Sequence, residues 1–373
     1  MNAAKLNPPF RAEHLGSLPR PAHLIAARKQ WEEGKLAREE LRRIEDACIR
    51  DSVAMQERTG IQVITDGEFR KFSWRDLLFD STDGFGKKNN DSDFIFTDFS
   101  GEKRRGNSVP DVIGKLKRRE MMAPGFDFVK ALTQKTVKAT LPAPSVNHFF
   151  RGDKMLDRSP YKGDRQAYFA DIAAIYRQEI ADLAAQGCTY LQIDDVPSAV
   201  LCDPRNQDIV RARGEDPDKL IDEYYELHNQ AVRDRPKTML LGVHLCRGNS
   251  GHGQASGGYE PIAERLFNKV AADAYFLEYD TERAGGFEPL RFLPKDRVAV
   301  LGILSTKLPA LEPYEEVRRK VDAAAKFVAM ERLCLSPQCG FSSSNLSARF
   351  SVEEQQRKLV HLVGLAQKIW GTA

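Results

Sequence analysis

Eight short apolar segments recur along the chain, and each precedes a stretch with the spacing of an amphipathic helix. A strand followed by a helix is the unit of a parallel α/β sheet, and eight such units in 373 residues predict a (β/α)8 TIM barrel. The strand-like segments are residues 10–18, 60–69, 135–144, 190–196, 238–246, 274–280, 297–305 and 332–339. Helical spacing is evident at residues 37–59, 164–186 and 352–370.

The segment between the second and third predicted strands is too long for a single helical crossover. We expect an insertion there, at about residues 71–130, that caps the mouth of a single catalytic barrel domain spanning residues 1–373. Within it, the sequence FIFTDF is predicted to pair with KLKRREMM as a hairpin. A second loop, residues 248–260, is rich in glycine and follows the fifth strand, where it can close over a ligand.

Composition excludes several classes of protein. The 56 basic and 53 acidic residues leave a formal charge of +3, which gives no electrostatic reason to expect a nucleic-acid partner. Six cysteines in a chain of this length do not match a secreted disulfide framework. No window is apolar enough to span a membrane, and the first residues lack an apolar signal segment. We expect a cytoplasmic protein without a membrane partner, and a homo-oligomer is one of the assemblies that the sequence allows.

Four side chains with metal-binding atoms stand at the ends of predicted strands. His244 and Cys246 end the fifth strand, Glu278 ends the sixth and Cys339 ends the eighth. The carboxyl ends of barrel strands share one rim, so these side chains can converge on one metal ion. A buried His and Cys can share one face of a strand by chance, but Cys339 lies between a nearby proline and a glycine, where regular structure ends. Thiolate, imidazole and carboxylate together suit Zn²⁺.

The expected ligands indicate the chemistry. A zinc ion with two thiolate ligands is less suited to activating water than to holding a substrate thiol as its thiolate near neutral pH. This predicts zinc-thiolate activation and alkylation of a substrate sulfur. Glu278 is then both a metal ligand and a catalytic residue, because it is the ligand most easily displaced when the thiol arrives.

Carboxylates at two other strand ends can bind a substrate amino group. Glu68 lies in the motif TDGEF, and Asp194 and Asp195 lie in QIDDV. At the rim of a barrel such carboxylates face a bound ligand. For either aspartate the alternative is a helix cap or a hydrogen bond to a loop.

Further polar residues are candidates with weaker support. Arg11, His14 and Ser17 at the first strand end can receive a substrate carboxylate, or they can form a structural hydrogen-bond network. His148, just beyond the third strand, is a candidate proton carrier without an evident partner in the sequence.

Longer motifs extend the comparison to a known family. They are RAEHLGSLPRP, VITDGEF, LQIDDVPSAV, VHLCRGN, GGYEPIAERLF, FLEYDTERAGGFEPLRF and LCLSPQCGF. With these motifs the chain resembles the catalytic half of cobalamin-independent methionine synthase, and more closely its shorter single-barrel relatives. The resemblance covers essentially all of the sequence. It implies that the zinc ligands are His244, Cys246, Glu278 and Cys339, and that the amino-acid substrate is held by Ser17, Glu68 and Asp194.

The resemblance implies a zinc-dependent methyltransferase of methionine biosynthesis that methylates homocysteine to methionine. The full-length synthase has a second, N-terminal barrel that helps to bind polyglutamated folate, so the donor here stays open between methyltetrahydrofolate, a methylated corrinoid protein and a small methylated compound. The family's D-I-H-S-P motif, whose histidine is thought to move the proton, is replaced by Ser305, Thr306 and Lys307.

Two other functions use the same residues. The epoxyalkane:coenzyme M transferases have a similar zinc site but alkylate a thiol that carries a sulfonate and no ammonium group. Such an enzyme would need Arg11, Arg20 or the basic residues of the insertion more than Glu68 and Asp194. A non-catalytic protein that binds zinc or a thiol ligand is the alternative from another functional class.

Overall fold

A closed ring of parallel strands forms the centre of the computed structural model, which describes residues 8–88, 92–97, 102–105, 108–248, 255–344 and 350–373. The labelled strands of the ring are β1 Val63–Ile64, β2 Thr136–Val137, β3 Ala139–Pro142, β4 Tyr190–Asp194, β5 Leu240–Leu245, β6 Ala274–Glu278, β7 Val298–Leu304 and β8 Leu333–Pro337. Strands β2 and β3 are separated by Lys138 alone and together form the third strand of the barrel. Strands β3 to β8 pair in sequential order, and β1 pairs with β2. All of these pairs are parallel.

The segment around Ala12 takes the place of the first barrel strand and closes the ring. Ala12 forms a parallel bridge with Leu335 of β8. On the other side, the backbone N–H of Leu18 donates to the carbonyl of Gly67, just beyond β1, at 3.1 Å. The (β/α)8 barrel predicted from the sequence is therefore confirmed, although its first strand is reduced to a single bridge.

Strands β4 to β8 are buried at almost every position. Helices cover a parallel sheet on its outer face while side chains fill its interior, so such strands are apolar at most positions and do not alternate. This explains why they are recognisable in the sequence as continuous apolar runs.

Helices surround the ring. In chain order they are α1 Ala22–Glu32, α2 Arg38–Arg58, α3 Asp76–Asp80, α4 Phe126–Lys130, α5 Val146–Arg151, α6 Arg165–Ala185, α7 Val196–Val200, α8 Pro204–Ala212, α9 Pro217–Val232, α10 Ala263–Lys269, α11 Tyr314–Ala324 and α12 Val352–Trp370. Helices α2, α6 and α12 confirm the three predicted from helical spacing. Within the described residues, no helix is both long enough and apolar enough to cross a membrane.

The region between β1 and β2 carries two antiparallel strand pairs. Thr82–Phe85 pairs with Val112–Arg118, and Ile95–Thr97 pairs with Lys103–Arg105. The predicted hairpin between FIFTDF and KLKRREMM is therefore wrong, because each of these strands has a different partner. The backbone N–H of Trp74 donates to the carbonyl of Ser343 at 3.0 Å, so this region contacts the loop that follows β8. Residues 249–254 of the predicted glycine-rich loop, 248–260, lie outside the described residues.

Candidate metal centre and substrate site

His244, Cys246 and Cys339 form a buried group of potential metal ligands at the carboxyl ends of β5 and β8. Their ligand atoms all lie within 4.8 Å of one another. The two sulfur atoms are 3.1 Å apart. In the described part of the chain, neither ring nitrogen of His244 has a hydrogen-bond partner. A buried imidazole without partners is unfavourable, and a metal ion bound to one nitrogen removes part of that cost.

The ionisation of each cysteine in this group depends on the other, because their sulfur atoms are in contact. The Cys339 thiol lowers the pKa of Cys246 against the opposing effect of burial, and His244 lowers it further. The hydrogen bond with Cys246, together with burial, raises the pKa of Cys339. One sulfur is therefore easily ionised while its neighbour keeps its proton. A divalent cation replaces that proton when it binds two thiolates, so the donor set fits a metal that prefers sulfur and nitrogen.

Glu278 lies at the end of β6, but both of its carboxylate oxygens accept hydrogen bonds from other groups. Oε2 accepts from the backbone N–H of Arg247 at 3.0 Å. Oε1 accepts from Lys307 Nζ at 3.0 Å and also contacts the guanidinium group of Arg283. Burial alone would raise the pKa of Glu278, yet the charges of Lys307, Arg283 and Arg247 lower it to about 2. The Glu278 carboxylate thus lies beside the three-residue group, and its role as a metal ligand stays a prediction.

Asp194 stands next to the potential metal ligands because β4 and β5 are neighbours. It is the last residue of β4 and lies opposite His244 in the parallel register. Its Oδ1 accepts a hydrogen bond from Gln192 Nε2 at 2.8 Å. Burial raises the pKa of Asp194 to about 7; the charge of His244 opposes the increase, and the nearby carboxylate of Glu68 adds to it. The strand ends therefore bring Asp194, His244 and Glu68 into one electrostatic neighbourhood.

Glu68 presents an unsatisfied oxygen to this neighbourhood. Its Oε1 accepts from the Thr140 hydroxyl at 3.0 Å and lies 3.7 Å from Lys71 Nζ. Its Oε2 is buried and has no hydrogen-bond partner within the described ranges. Buried carboxylates are normally paired, so the orphaned oxygen marks a place for a donor on a ligand.

The backbone of Glu68 is held in an unusual conformation. Its φ is +61°, in the left-handed region that side-chain-bearing residues rarely adopt. The buried guanidinium of Arg20 donates to the carbonyls of Glu68 and Lys71 at 3.1 Å and 3.2 Å, and to that of Ser342 at 2.8 Å. Conformational strain of this kind persists where surrounding contacts maintain it, and it is concentrated at functional sites. Arg20 therefore fixes the turn that carries the Glu68 carboxylate.

Ser17 lies against Gly340, the residue that follows Cys339 in the loop beyond β8. A β-carbon placed on Gly340 would lie only 1.9 Å from Ser17 Oγ, so glycine is required for this close approach. The backbone N–H of Phe341 donates to the Ser17 carbonyl at 2.9 Å. Ser17 thus lies against the residue next to Cys339, and its role in binding a substrate stays a prediction.

Arg11 and His14 do not join the site. The Arg11 guanidinium donates to the carbonyl of Leu333 at 2.6 Å, at the opposite end of β8 from Cys339. His14 Nε2 lies 3.2 Å from the Val63 carbonyl, and its Nδ1 accepts from the backbone N–H of Gly16. Burial lowers the pKa of His14 to about 3, so the ring is neutral and both nitrogens are used. These contacts are those of a structural hydrogen-bond network, and a role of Arg11 and His14 in receiving a substrate carboxylate stays a prediction.

Asp195 and His148 are also engaged elsewhere. The Asp195 carboxylate caps α7, accepting from the backbone N–H and the hydroxyl of Ser198 at 3.1 Å and 2.5 Å. The His148 ring lies 2.8 Å from the Tyr224 hydroxyl through Nδ1 and 2.9 Å from Asp153 through Nε2. Asp195 therefore forms the helix cap that the sequence analysis gave as the alternative to substrate binding. Both ring nitrogens of His148 are used by partners that the sequence did not reveal.

Lys307, Arg283 and Lys71 are site residues to which sequence reasoning gave no role. In the sequence Lys307 is only a departure from a family motif, and its distance along the chain from Glu278 gives no indication of the contact. Lys71 could have been found from the sequence, because it follows Glu68 by three residues and can therefore reach its carboxylate. Lys307 and Arg283 offer no comparable signal.

Comparisons with known proteins agree with this architecture. A family model described as the catalytic domain of cobalamin-independent synthase matches residues 10–367. The uncharacterised Bacillus subtilis protein YxjH is 37% identical over 97% of this chain and 95% of its own length. A structure of a candidate vitamin-B12-independent methionine synthase from Listeria monocytogenes superposes with a TM-score of 0.74 and 29% identity, over 97% of this chain and 98% of that one.

A more distant relative carries a functional name. The 5-methyltetrahydropteroyltriglutamate–homocysteine methyltransferase of Saccharophagus degradans is 24% identical over 91% of this chain. The match covers only 41% of that protein. The chain therefore corresponds to less than half of the named methyltransferase.

Proposed function

This chain belongs to the family of the cobalamin-independent synthase catalytic domain, and from that premise we propose that it methylates the sulfur of a small-molecule thiol at a zinc centre. Homocysteine is the proposed acceptor and methionine the product. The observation that carries the proposal is the buried group of His244, Cys246 and Cys339, in which both imidazole nitrogens lack a partner among the described residues. Two sulfurs and one imidazole are a donor set that zinc prefers. When bound, zinc supplies the positive charge that keeps the substrate sulfur ionised near neutral pH.

The neighbouring carboxylates support an amino-acid thiol as the acceptor. Glu68 offers an oxygen without a partner in the described part of the protein, and Asp194 lies opposite His244 on the adjacent strand. Together they can receive the α-ammonium group of homocysteine through charge-assisted hydrogen bonds. Lys71, close to Glu68, can receive the α-carboxylate in place of Arg11. During transfer the donor–methyl bond breaks, the sulfur–methyl bond forms and the thiol proton leaves the site.

Two of the basic residues that a coenzyme M enzyme could use, Arg11 and Arg20, are already engaged. Arg11 donates to backbone carbonyls near the start of β8, and Arg20 donates to the carbonyls around Glu68. Both guanidinium groups would have to give up these contacts to bind a sulfonate. A sulfonate would then have to be bound by Lys71 or by basic residues of the insertion, so the preference for an amino-acid thiol rests on the carboxylates of Glu68 and Asp194.

The decisive experiment incubates zinc-loaded protein with homocysteine or coenzyme M against a panel of donors and identifies products by mass. The panel contains methyltetrahydrofolate with one or several glutamates, a methylated corrinoid protein, small methylated compounds and an epoxide. We expect methionine from homocysteine with at least one methyl donor. Alkylation of coenzyme M by the epoxide without methionine formation would instead support the transferase alternative. Failure of every pair would support a non-catalytic binding protein.

Thiol binding should change the spectrum of a cobalt-substituted sample. The substrate binds as a thiolate, so it adds a sulfur to the metal environment and releases a proton. We expect sulfur-to-metal charge-transfer absorption to increase when homocysteine is added, together with proton release in a weakly buffered solution. A spectrum that stays unchanged at saturating homocysteine would contradict binding at the metal.

Homocysteine affinity should also increase with pH near neutrality. The pKa of Asp194 is raised to about 7 by burial, whereas an ammonium group binds the ionised carboxylate. Affinity is therefore lost as the pH falls below about 7 and gained as it rises above that value. The measurement compares dissociation constants between about pH 6 and about pH 8 for homocysteine and for mercaptobutyrate, which lacks the amino group. Identical pH dependence for the two thiols would exclude Asp194 as the titrating partner.

A further inference from the structure

We propose that a cleft between helix α2 and the first part of the insertion binds the phosphate or carboxylate group of an anionic ligand through the buried guanidinium of Arg75. The cleft has a volume of about 950 Å³, and its walls include residues of α1, α2 and the segment 72–81. Ligand sites commonly measure about 300–1,000 Å³, so the cleft can hold a small molecule. None of its described lining residues belongs to the metal-binding group or to the proposed homocysteine site, so the inference does not depend on the proposed zinc chemistry.

Arg75 is a buried cation that lacks a carboxylate partner. Its side chain is almost fully buried, and it forms no ion pair with any residue that the structure describes. Its Nη2 donates to the Ser108 carbonyl at 3.0 Å, whereas its Nε has no hydrogen-bond partner within the described ranges. Burial lowers the pKa of Arg75 to about 10. Buried charges are normally paired, because leaving water without a counter-charge is costly, and a bound anion would remove that cost.

The neighbouring carboxylate of Asp76 is already used by other groups. Its Oδ1 lies 3.1 Å from Lys88 Nζ, and its Oδ2 accepts from the backbone N–H of Ser73 at 2.9 Å. Lys88 Nζ also lies 2.9 Å from Asp80 Oδ1, so these three charges form a network of their own. Asp76 therefore offsets the charge of Arg75 only from a distance, and the guanidinium still requires a partner.

Two hydroxyl groups on the wall of the cleft also lack partners. Ser73 and Ser81 are buried, and in the part of the chain that the structure describes neither hydroxyl has a hydrogen-bond partner. Both residues line the cleft. A hydroxyl can donate to an oxyanion, and buried donors without partners indicate an acceptor on a ligand.

The opposite wall of the cleft, on α1 and α2, carries a surplus of positive charge. The buried carboxylate of Glu45 lies 3.0 Å from Arg28, 3.3 Å from Arg38 and 3.5 Å from Arg70. One carboxylate thus meets three guanidinium groups. Among the described lining residues of the whole cleft, seven are basic and five are acidic. A concave surface with this balance concentrates anions, so its charge suits the ligand that Arg75 requires.

The Arg75 guanidinium is held in place without a ligand. It lies over the Phe150 ring, 4.8 Å from the ring centroid. The segment that carries it is fixed to the loop beyond β8, because Ser73 forms an antiparallel bridge with Ser344. A donor that is already oriented loses little conformational freedom when it binds, which favours binding of even a small anion.

The test titrates the zinc-loaded protein with inorganic phosphate and, separately, with glutarate in a chloride-free buffer, and measures binding by calorimetry. Glutarate carries two carboxylates but neither a thiol nor an amino group. We expect saturable binding of at least one of these anions. Arg75→Met should weaken it by about 10- to 100-fold, because a hydrogen bond between charged groups is lost. Ser73→Ala removes a neutral donor and should weaken it by less than about tenfold.

Arg332→Met is the matched control. The Arg332 guanidinium donates to the carbonyls of Pro294 and Arg297 at 2.8 Å and 3.1 Å, outside the cleft, so this variant should bind both anions as the parent does. Arg75→Lys keeps the charge but loses the planar fork of donors, and it should bind more weakly than the parent. This variant decides the question if Arg75→Met does not fold.

Hydrogen exchange locates the bound anion. Amide exchange in residues 73–81 of the parent should become slower when the anion is added. Binding of phosphate alone would assign a phosphorylated ligand to the cleft, and binding of glutarate alone would assign a carboxylate ligand. Absence of saturable binding of both anions, or equal affinity of the parent and the Arg75 variants, would overturn the inference and leave the proposed methyl transfer unaffected.

Discussion

Cys339→Ser and Cys246→Ser are each expected to lose the bound zinc on purification and to lose methyl transfer with it. Each change removes an anionic sulfur from a three-residue group whose ligand atoms lie within 4.8 Å of one another. Changes outside the ligand set already weaken metal binding by about 10- to 100-fold, so loss of a thiolate should exceed about 100-fold. Metal content by mass spectrometry of the native protein, together with chelator competition, measures both effects.

Cys334→Ala provides the matched control for this experiment. Cys334 is a fully buried thiol in β8, on the same strand that leads to Cys339, and burial raises its pKa to about 12. It lies near Arg11, at the end of the strand away from Cys339. The control variant should retain one zinc per chain. Full zinc occupancy in Cys339→Ser would show that the zinc is bound elsewhere in the protein.

The features of the site that the sequence predicts are those governed by strand geometry. Alternate residues of a strand point to the same face, so His244 and Cys246 are expected together. The shared rim of a barrel then brings Cys339, from the last strand, to these two residues. The structure brings these three side chains together. Asp194 follows the same rule, since the last residue of β4 lies opposite His244 in the register.

The errors arise where a side chain's direction depends on contacts distant in sequence. Arg11 lies on the same segment as Ser17, but its long side chain reaches the start of β8 and is used by backbone carbonyls there. The hairpin is misassigned because antiparallel pairing depends on which strand is adjacent in space, and Val112–Arg118 has Thr82–Phe85 as its neighbour. Local propensity does not distinguish between two such partners.

The environment of Glu278 is equally inaccessible to sequence reasoning. A glutamate at a strand end looks the same in the sequence whether its carboxylate binds a metal or forms ion pairs with basic side chains. Its partners Lys307 and Arg283 come from loops after β7 and β6, and only their placement in space shows that both cations meet Glu278. The left-handed backbone of Glu68 likewise has no signature in the sequence, because it is maintained by the distant Arg20 guanidinium.

Glu68→Gln and Asp194→Asn are expected to retain zinc but to bind homocysteine about 10- to 100-fold more weakly, since one charge-assisted hydrogen bond contributes about 1.5–3 kcal/mol. Both substitutions keep the size of the side chain. Glutamine preserves an oxygen that can accept the hydrogen bond from Thr140, so the left-handed turn should remain intact. Calorimetric titration of zinc-loaded protein with homocysteine measures the loss directly.

Two comparisons make this result specific to the ammonium group. Mercaptobutyrate, which lacks the amino group, should bind the parent and both variants with similar affinity, because its sulfur still reaches the metal. Asp195→Asn, next in sequence to Asp194, should reduce stability through its cap on α7 and leave homocysteine affinity unchanged. If Glu68→Gln and Asp194→Asn bind homocysteine as the parent does, these carboxylates do not receive the ammonium group, and an acceptor without one becomes the better hypothesis.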